Sequence, residues 1–544
     1  MNERRTAPSL GEWVLLVGIV AAGLALRAFR LRWGLPYFTF PDAFVHFIRP
    51  AARAAAGGPL IPDEFVHPTG VFFLLTGAFR AWSVATGQPI IVGPGAALQI
   101  PTLELVGRYV MLAAAGLTLL ALWVLGRRIL TPRAALLGTA VFALAPLHVL
   151  ESHRIAPDVP MLLVAVLAVW LAVSGGWGRL IAAFGAAGLA TAVKYPGAFA
   201  ATAPAWLVMR ASRRWLAVLV VCGLVAVLGF ALGCIPCFCR FDAFVRGMRL
   251  ISSYGYVIGM PGVDLSGRFP QQRWVYPLVV ALPYMLGWPV YLAALAGLVV
   301  LWRSDRAAAG LLLAATVPYL AFMGGAISAV PRYYLLLSPF LALAAGAALD
   351  RFSTRALGAV VTVAVLGYTA ALSVSQVMRL GLGPQRAVAA VVAERAATVG
   401  KRRFVVAYPN QFARAYDAVT PLIRGPRVDI VEFPEPYGHL GGDTEAAETA
   451  PTTDLRAWLR TVDVVVLPSW AEDAVLRTRP DGYAARFFRE LEDGSLGFRS
   501  AGVFETRYVT EPLYTWGDPM LDTHWETAIA GYKVFVPASG GAPG

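Results

Sequence analysis

The chain has 544 residues, of which 58% are hydrophobic and 15% charged, with a formal net charge of +13 at pH 7 and a mean hydropathy of +0.62. Such a composition excludes an ordinary water-soluble protein and predicts a polytopic α-helical membrane protein. The positive charge does not call for nucleic acid, because the arginines are spread over short loops instead of forming one basic patch; membrane lipid headgroups and a phosphorylated ligand account for it.

Apolar runs of roughly 17 to 25 residues, the length that crosses about 30 Å of hydrocarbon as a helix, predict about eleven spans. They lie near 13–31, 104–126, 134–151, 158–174, 179–194, 197–209, 215–234, 274–301, 308–326, 334–349 and 355–375. The first follows Arg4 and Arg5 and leads into Arg27, Arg30 and Arg32 with no small-residue cleavage site, so it reads as a retained signal anchor. Those three arginines lie toward the outer end, where snorkelling to headgroups and attraction to a phosphate are both open readings.

The segment 33–103 is a large first outer loop. It holds Asp42, His46, the acidic pair Asp63 and Glu64, and an apolar stretch 67–80 placed as an interfacial helix. With the amino terminus inside, the inner loops hold Arg127, Arg128 and Arg133; Arg179; Arg210, Arg213 and Arg214; Arg303 and Arg306; and Arg351 and Arg355. Every inner loop is then basic, as expected for cytoplasmic connections. A later outer loop, 235–273, follows Cys234 and holds Cys237 and Cys239. No histidine stands at metal-ligand spacing beside them, so small apolar filler is preferred over a disulfide or a metal site.

Beyond Gly383 the apolar runs shorten to strand length, at 402–408, 428–433 and 462–467, and alternate with a helical stretch at 385–395. Residues 380–544 therefore read as a soluble α/β domain of about 160 residues. The threading places it outside, following a transmembrane domain over 1–379. It carries no nucleotide-binding fingerprint.

Several stretches, in order, resemble the GT-C superfamily of membrane glycosyltransferases, in particular the branch of protein O-mannosyltransferases and aminoarabinose transferases. They are the loop around Asp42; the His67-Pro-Thr-Gly run; Arg108-Tyr followed by the basic turn at 125–133; the second loop leading to Asp158; the threonine-lysine run ending at Lys194; and the pair Arg332-Tyr333 ahead of 335–339. The sequence departs from that pattern at Ala43, where the family often has a glutamate after the first aspartate. The resemblance covers roughly 13–375 and implies transfer of a sugar from a polyprenyl-phosphate donor to a lipid, glycan or protein acceptor at the outer face.

An inverting transfer needs a base for the acceptor proton, cations for the departing phosphate and a pocket that excludes water. The resemblance and the threading give Asp42 as the base and Asp158 as a second catalytic carboxylate that orients acceptor or sugar. Either aspartate is equally suited to capping the helix that follows it, and Asp63 with Glu64 forms a rival acidic pair. Arg332, Lys194 and Arg108 are the candidates for the phosphate, joined by His67, His46 and Tyr333 as substrate-binding residues. No spacing closes a metal-ligand set, so no cofactor is required, although a divalent metal held by the outer acids and histidines stays open. Two other functions fit the same composition, an oligosaccharide ligase or polymerase and a transporter or lipid flippase. A transporter is expected to place polar groups near mid-membrane, whereas here they gather at helix ends.

Overall fold

A computed structural model describes residues 7–36, 43–92, 96–257, 274–324, 331–354, 356–381 and 383–399, and, in the last third, 403–409, 422–423, 427–437, 453–469, 472, 475–476, 480–505 and 531–538. The chain divides into two compact units. One comprises 1–31, 42–256 and 272–377; the other comprises 32–41, 257–271 and 378–544.

The first unit is helical. Helix α1 (Leu10–Ala28) starts in a capping box, with the Ser9 hydroxyl accepting from the Glu12 amide and the Glu12 carboxylate accepting from the Ser9 amide. A π-helical turn (Ala43–Ile48), α2 (Arg49–Ala55) and α3 (Gly70–Thr86) fill the first loop. Then follow α4 (Ala96–Ile129), α5 (Pro132–Ala143), α6 (Pro146–Glu151), α7 (Asp158–Val173), α8 (Trp177–Val193), α9 (Thr202–Ala211), α10 (Trp215–Gly233), α11 (Ile235–Cys239) and α12 (Phe241–Val257). The series resumes with α13 (Leu282–Leu286), α14 (Trp288–Ser304), α15 (Arg306–Gly324), α16 (Ser338–Phe352) and α17 (Ala356–Arg379).

Among the described residues six helices are long and apolar enough to cross a membrane, or seven if the bent pair Pro277–Leu286 and Trp288–Ser304 counts as one span. Helices α5, α7 and α8 are apolar but shorter. Two helices show the extremes of environment. The segment Pro331–Phe352 is 83% buried within the unit, against 11% for α10, whose Leu216, Val220, Leu224, Val227, Leu228 and Leu232 face outward. A helix apolar on all sides and bare on most of them has lipid as its solvent. At the centre, α5 and α14 pack against α16. A side chain at Gly346 would collide with the Ala134 carbonyl and the Gly138 backbone, the close small-residue approach that packs helices where no water drives association.

Two sequence readings are corrected here. Arg27 does not reach headgroups: it is fully buried and donates to the carbonyls of Gly23 (2.7 Å), Ala143 (2.7 Å) and Phe142 (3.3 Å), with the Nδ1 of His148 at 2.7 Å. Burying a guanidinium is costly unless acceptors meet it, and carbonyls exposed where α5 ends meet its two terminal nitrogens, while Nε has no partner among the described residues. Cys234 and Cys237 are joined by a disulfide and are not mere apolar filler, while Cys239 is a free, exposed thiol.

The second unit is a five-stranded sheet in the order β2–β1–β3–β5–β4, built from β1 (Phe404–Tyr408), β2 (Val428–Glu432), β3 (Val464–Pro468), β4 (Phe498–Phe504) and β5 (Tyr532–Pro537). Strands β2, β1 and β3 are parallel; β5 and β4 close the sheet antiparallel. Alternation along the strands sends Val406, Val464, Val466 and Val534 toward α18 (Gly383–Val399) through Val388 and Val392. It sends Ala407, Val465, Leu467 and Phe535 to the opposite face, where α19 (Leu455–Leu459) contributes Leu459 and α20 (Tyr483–Glu492) contributes Phe487, Phe488 and Leu491. Both faces of the sheet are thus covered, a three-layer α/β arrangement.

Candidate active site

Four helix ends converge in the first unit, and each brings one of the polar groups singled out in the sequence. Asp158 is the first residue of α7 and is buried; its side chain makes no capping bond. Its Oδ1 instead accepts from the Nζ of Lys194 at 2.6 Å. Lys194 ends α8 in extended backbone, which turns its side chain back toward the start of α7. The helix-cap reading of Asp158 is therefore replaced by a buried ion pair.

The cation is shared. The Nζ of Lys194 lies 5.3 Å from the centre of the Tyr333 ring, and the guanidinium of Arg332 lies 5.7 Å from that same ring. Tyr333 sits in a short 3-10 helical segment (Pro331–Leu337) whose backbone is held by the Tyr319 hydroxyl donating to the Tyr333 carbonyl. Two cations are thus held against one aromatic ring, which concentrates positive charge there. An anion placed between them offsets that charge.

His67 completes the group. A residue larger than glycine at position 70 would place its Cβ 2.7 Å from the Ala192 carbonyl and 2.9 Å from the Val193 Cα, so Gly70 is what lets the start of α3 abut the end of α8. The hydroxyl of Thr69 donates to the Gly233 carbonyl at 3.0 Å, and that of Tyr195 to the Phe65 carbonyl at 3.0 Å. These contacts bring His67 under the influence of Lys194 and Arg332. Burial first, and then the positive charges of His46, Lys194 and Arg332, hold the His67 imidazole well below its ordinary value. It is a neutral ring beside a cationic cluster.

From His67 a cavity of about 340 Å³ opens along the first loop, lined by His46, Phe47, Arg49, Arg53, Asp63, Glu64 and Thr69 among others. The His46 and His67 rings stand edge to face, 5.4 Å apart. His46 Nδ1 meets Glu64 Oε1 at 2.7 Å, and Arg53 donates to Asp63 at 2.8 Å. The hydrogen bond from His46 lowers the Glu64 pKa, which keeps that carboxylate charged.

The structure thus gathers Asp158, Lys194, Arg332, Tyr333, His67 and His46. It does not bring Arg108 to them: that guanidinium is buried, donates to the Leu31 carbonyl at 2.7 Å and pairs with Glu104 one helical turn away. Through these contacts Arg108 ties α4 to the turn after α1. Asp42 lies outside the described residues. Sequence reasoning missed the joint action of His46 and Glu64, whose eighteen-residue separation matches no motif. The signal that was available is the run of charge in a loop otherwise apolar. No group of three or more histidine, cysteine, aspartate or glutamate residues able to hold a metal occurs among the described residues.

Comparison with known proteins gives the following. The family of dolichyl-phosphate-mannose-protein mannosyltransferases matches residues 98–237, a segment that includes Asp158 and Lys194. Among solved structures, the archaeal oligosaccharyltransferase AglB from Archaeoglobus fulgidus, in complex with an inhibitory peptide and a dolichol-phosphate, superposes with a TM-score of 0.51 at 12% identity, covering 89% of this chain and 72% of that one. The same enzyme tethered with an acceptor peptide containing the NVT sequon gives 0.51 and 12%, over 88% and 72%. ArnT from Cupriavidus metallidurans bound to undecaprenyl phosphate covers 99% of this chain and 100% of its own, at 15% identity and a TM-score of 0.49. No curated protein matches the chain in sequence. At these identities the likeness to AglB is one of fold: a helical membrane enzyme followed by a sheet-containing domain.

Proposed function

We infer that this chain, a member of the GT-C superfamily of membrane glycosyltransferases, transfers a sugar from a polyprenyl-phosphate donor to a lipid, glycan or protein acceptor at the outer face of the membrane. The observation that carries the reading is the placement of Lys194 and Arg332 about one Tyr333 ring, with neutral His67 alongside. Cations at helix ends, backed by apolar helices, are where an anionic headgroup on a lipid tail comes to rest. In the transition state the sugar–oxygen bond breaks and charge builds on the departing phosphate. Lys194 and Arg332 neutralise that charge, and the low dielectric around them raises their effect.

Asp158 holds Lys194 in place and balances its charge while the site is empty. That leaves the acceptor proton to a base of the first loop, for which Asp42 is the candidate read from the sequence. The outer orientation follows from the basic inner loops, and it sets a transmembrane domain over 1–379, with outer loops 33–103 and 235–273, against an extracytoplasmic domain over 380–544 that helps select the acceptor. A bacterial inner or plasma membrane is the setting the family resemblance implies.

A second reading, transfer of a preassembled oligosaccharide, draws on the likeness to AglB. The test serves both. Purified protein in lipid nanodiscs is given synthetic polyprenyl-phosphate monosaccharides and, separately, a lipid-linked oligosaccharide. Monosaccharide transfer that is lost in Lys194→Ala and Arg332→Ala is the expected result. Transfer of the oligosaccharide alone supports the second reading, and full activity of both variants overturns the site.

A further inference from the structure

Helix α10 ends at Gly233 with Leu228 and Leu232 still facing outward. The bare apolar surface continues past that end. Ile235 and Phe238 of α11 and Phe241 at the start of α12 are 54%, 49% and 58% exposed. In the same stretch stand three exposed arginines, Arg240, Arg246 and Arg249, against one acid, Asp242, which pairs with Arg246 at 2.9 Å. Each residue of a helix advances about 100° around its axis, and this sorts the first half of α12 into three strips. Ala243 and Gly247 mark the buried strip. A Cβ at Gly247 would lie 2.6 Å from the Phe65 carbonyl oxygen, and the neighbouring Phe244 ring meets Phe65 edge to face, 6.5 Å between centres. Phe241 and Val245 form an apolar strip, and Asp242, Arg246 and Arg249 form a polar one.

We propose that α11 and the first half of α12 form a binding surface for anionic phospholipid at the leaflet where α10 ends. Ile235, Phe238 and Phe241 carry the apolar surface of α10 into the boundary between acyl chains and headgroups, and Arg240, Arg246 and Arg249 meet headgroup phosphates. Two observations select lipid as the occupant. The patch is continuous with a helix whose outward leucines and valines already have lipid as their solvent. Its three cations to one anion complement a negatively charged membrane surface. Water leaves Phe238 and Phe241 unburied, and hydrocarbon leaves guanidinium groups without acceptors; the boundary between the two accommodates both.

The surface is tied to the candidate site through Phe65. The Phe65 carbonyl, against which Gly247 packs, accepts from the Tyr195 hydroxyl at 3.0 Å. Phe65 stands two residues before His67, and Tyr195 directly follows Lys194. The Tyr195 and Phe244 rings also lie 6.4 Å apart. A membrane surface that seats α12 therefore steadies the segment that carries His67. Such a surface requires no particular chemistry at Lys194 or His67, so it stands whichever reaction the site performs.

Cys239, a free and exposed thiol between Phe238 and Arg240, reports the depth of this surface. In the full-length protein with Cys222→Ala, a nitroxide is attached at Cys239, and the protein is placed in nanodiscs of phosphatidylcholine alone or of equal parts phosphatidylcholine and phosphatidylglycerol. Power-saturation spin resonance then compares collisions with oxygen, which concentrates in the bilayer, and with a neutral water-soluble nickel chelate. The oxygen-to-chelate ratio is expected to be about threefold or more higher in the mixed discs. Joint replacement Arg240→Gln, Arg246→Gln and Arg249→Gln is expected to abolish that difference while leaving the melting temperature in detergent unchanged, since all three side chains are exposed. Asp242→Asn, which removes the one acid, is expected to raise the ratio further in the mixed discs, and it carries the test if the triple variant does not fold. A label equally open to the chelate in both discs overturns the proposal. So does a bilayer-like ratio indifferent to phosphatidylglycerol and to the arginines. A label shielded from both reagents in every disc assigns the patch to a protein partner or a second copy and overturns it as well.

Discussion

Lys194 and Asp158 meet at 2.6 Å across thirty-six positions of sequence, joining the end of α8 to the start of α7. Both groups are buried, so the pair is a structural tie, and under the proposed function it also anchors the cation that receives the phosphate. The two roles separate under mutation. Removing one partner of a buried pair leaves an uncompensated charge and costs about 3–5 kcal/mol, whereas replacing both by apolar groups is often neutral. Lys194→Met and Asp158→Leu are each expected to lower the melting temperature in detergent. The double variant is expected to recover most of that loss while remaining inactive in sugar transfer.

Tyr333 carries two cations on its ring. Each such contact is worth about 0.5–1 kcal/mol. Replacement by leucine is expected to raise the donor KM by about 5- to 30-fold with little change in folding, and phenylalanine, which keeps the ring, to preserve donor binding. Equal KM values for Leu and Phe variants would show that the ring plays no part in holding Lys194 and Arg332.

Acid should destabilise the site through His67. Its native pKa is depressed by burial and by neighbouring positive charge, while an unfolded imidazole titrates near 6.5. Below that value the unfolded state binds a proton that the native state refuses. Stability is therefore unaffected at high pH and falls as pH drops below about 6.5, by at most about 1.4 kcal/mol per pH unit from this residue. His67→Gln is expected to flatten the melting-temperature profile between about pH 6.5 and pH 5, measured by scanning fluorimetry in detergent. An unchanged slope would rule out a His67 held below its ordinary pKa.

Gly70 permits the contact between α3 and α8. Gly70→Val forces the two helix ends apart, with a cost of about 1–3 kcal/mol for overpacking, and should carry His67 away from Lys194. Donor affinity is expected to fall together with stability in this variant. Gly77→Val on the same helix, where a Cβ meets nothing within 4 Å, tests the general effect of a β-branched residue on α3.

Much of the fold was legible because membrane helices announce themselves by continuous apolarity, and strands β1 to β3 by short β-branched runs. Strands β4 and β5 were missed. The exposed residues of Phe498–Phe504 are Arg499, Ser500, Ala501 and Val503, a mixture without apolar alternation, since an edge strand need bury little. Asp158, Lys194, His67, Arg332 and Tyr333, which the structure gathers, could each be singled out in the sequence, but their partnerships could not, because they join helix ends distant in sequence. The partners of Arg108 were hidden for a related reason. Its position at a helix end suggested an outward charge, and only the fold shows Leu31 and Glu104 occupying it.

Arg27 has a bearing on how the protein is made. Its acceptors beyond α1 come from Phe142, Ala143 and His148, which follow it by 115, 116 and 121 residues. At about 5–20 residues per second, the ribosome leaves the first helix waiting roughly 6 to 24 seconds for these partners. During that interval the guanidinium has only the Gly23 carbonyl of its own helix. The anchoring segment is thus committed to the bilayer with an unfinished polar contact, and the arrival of α5 and α6 at that arginine fixes the order in which the bundle assembles.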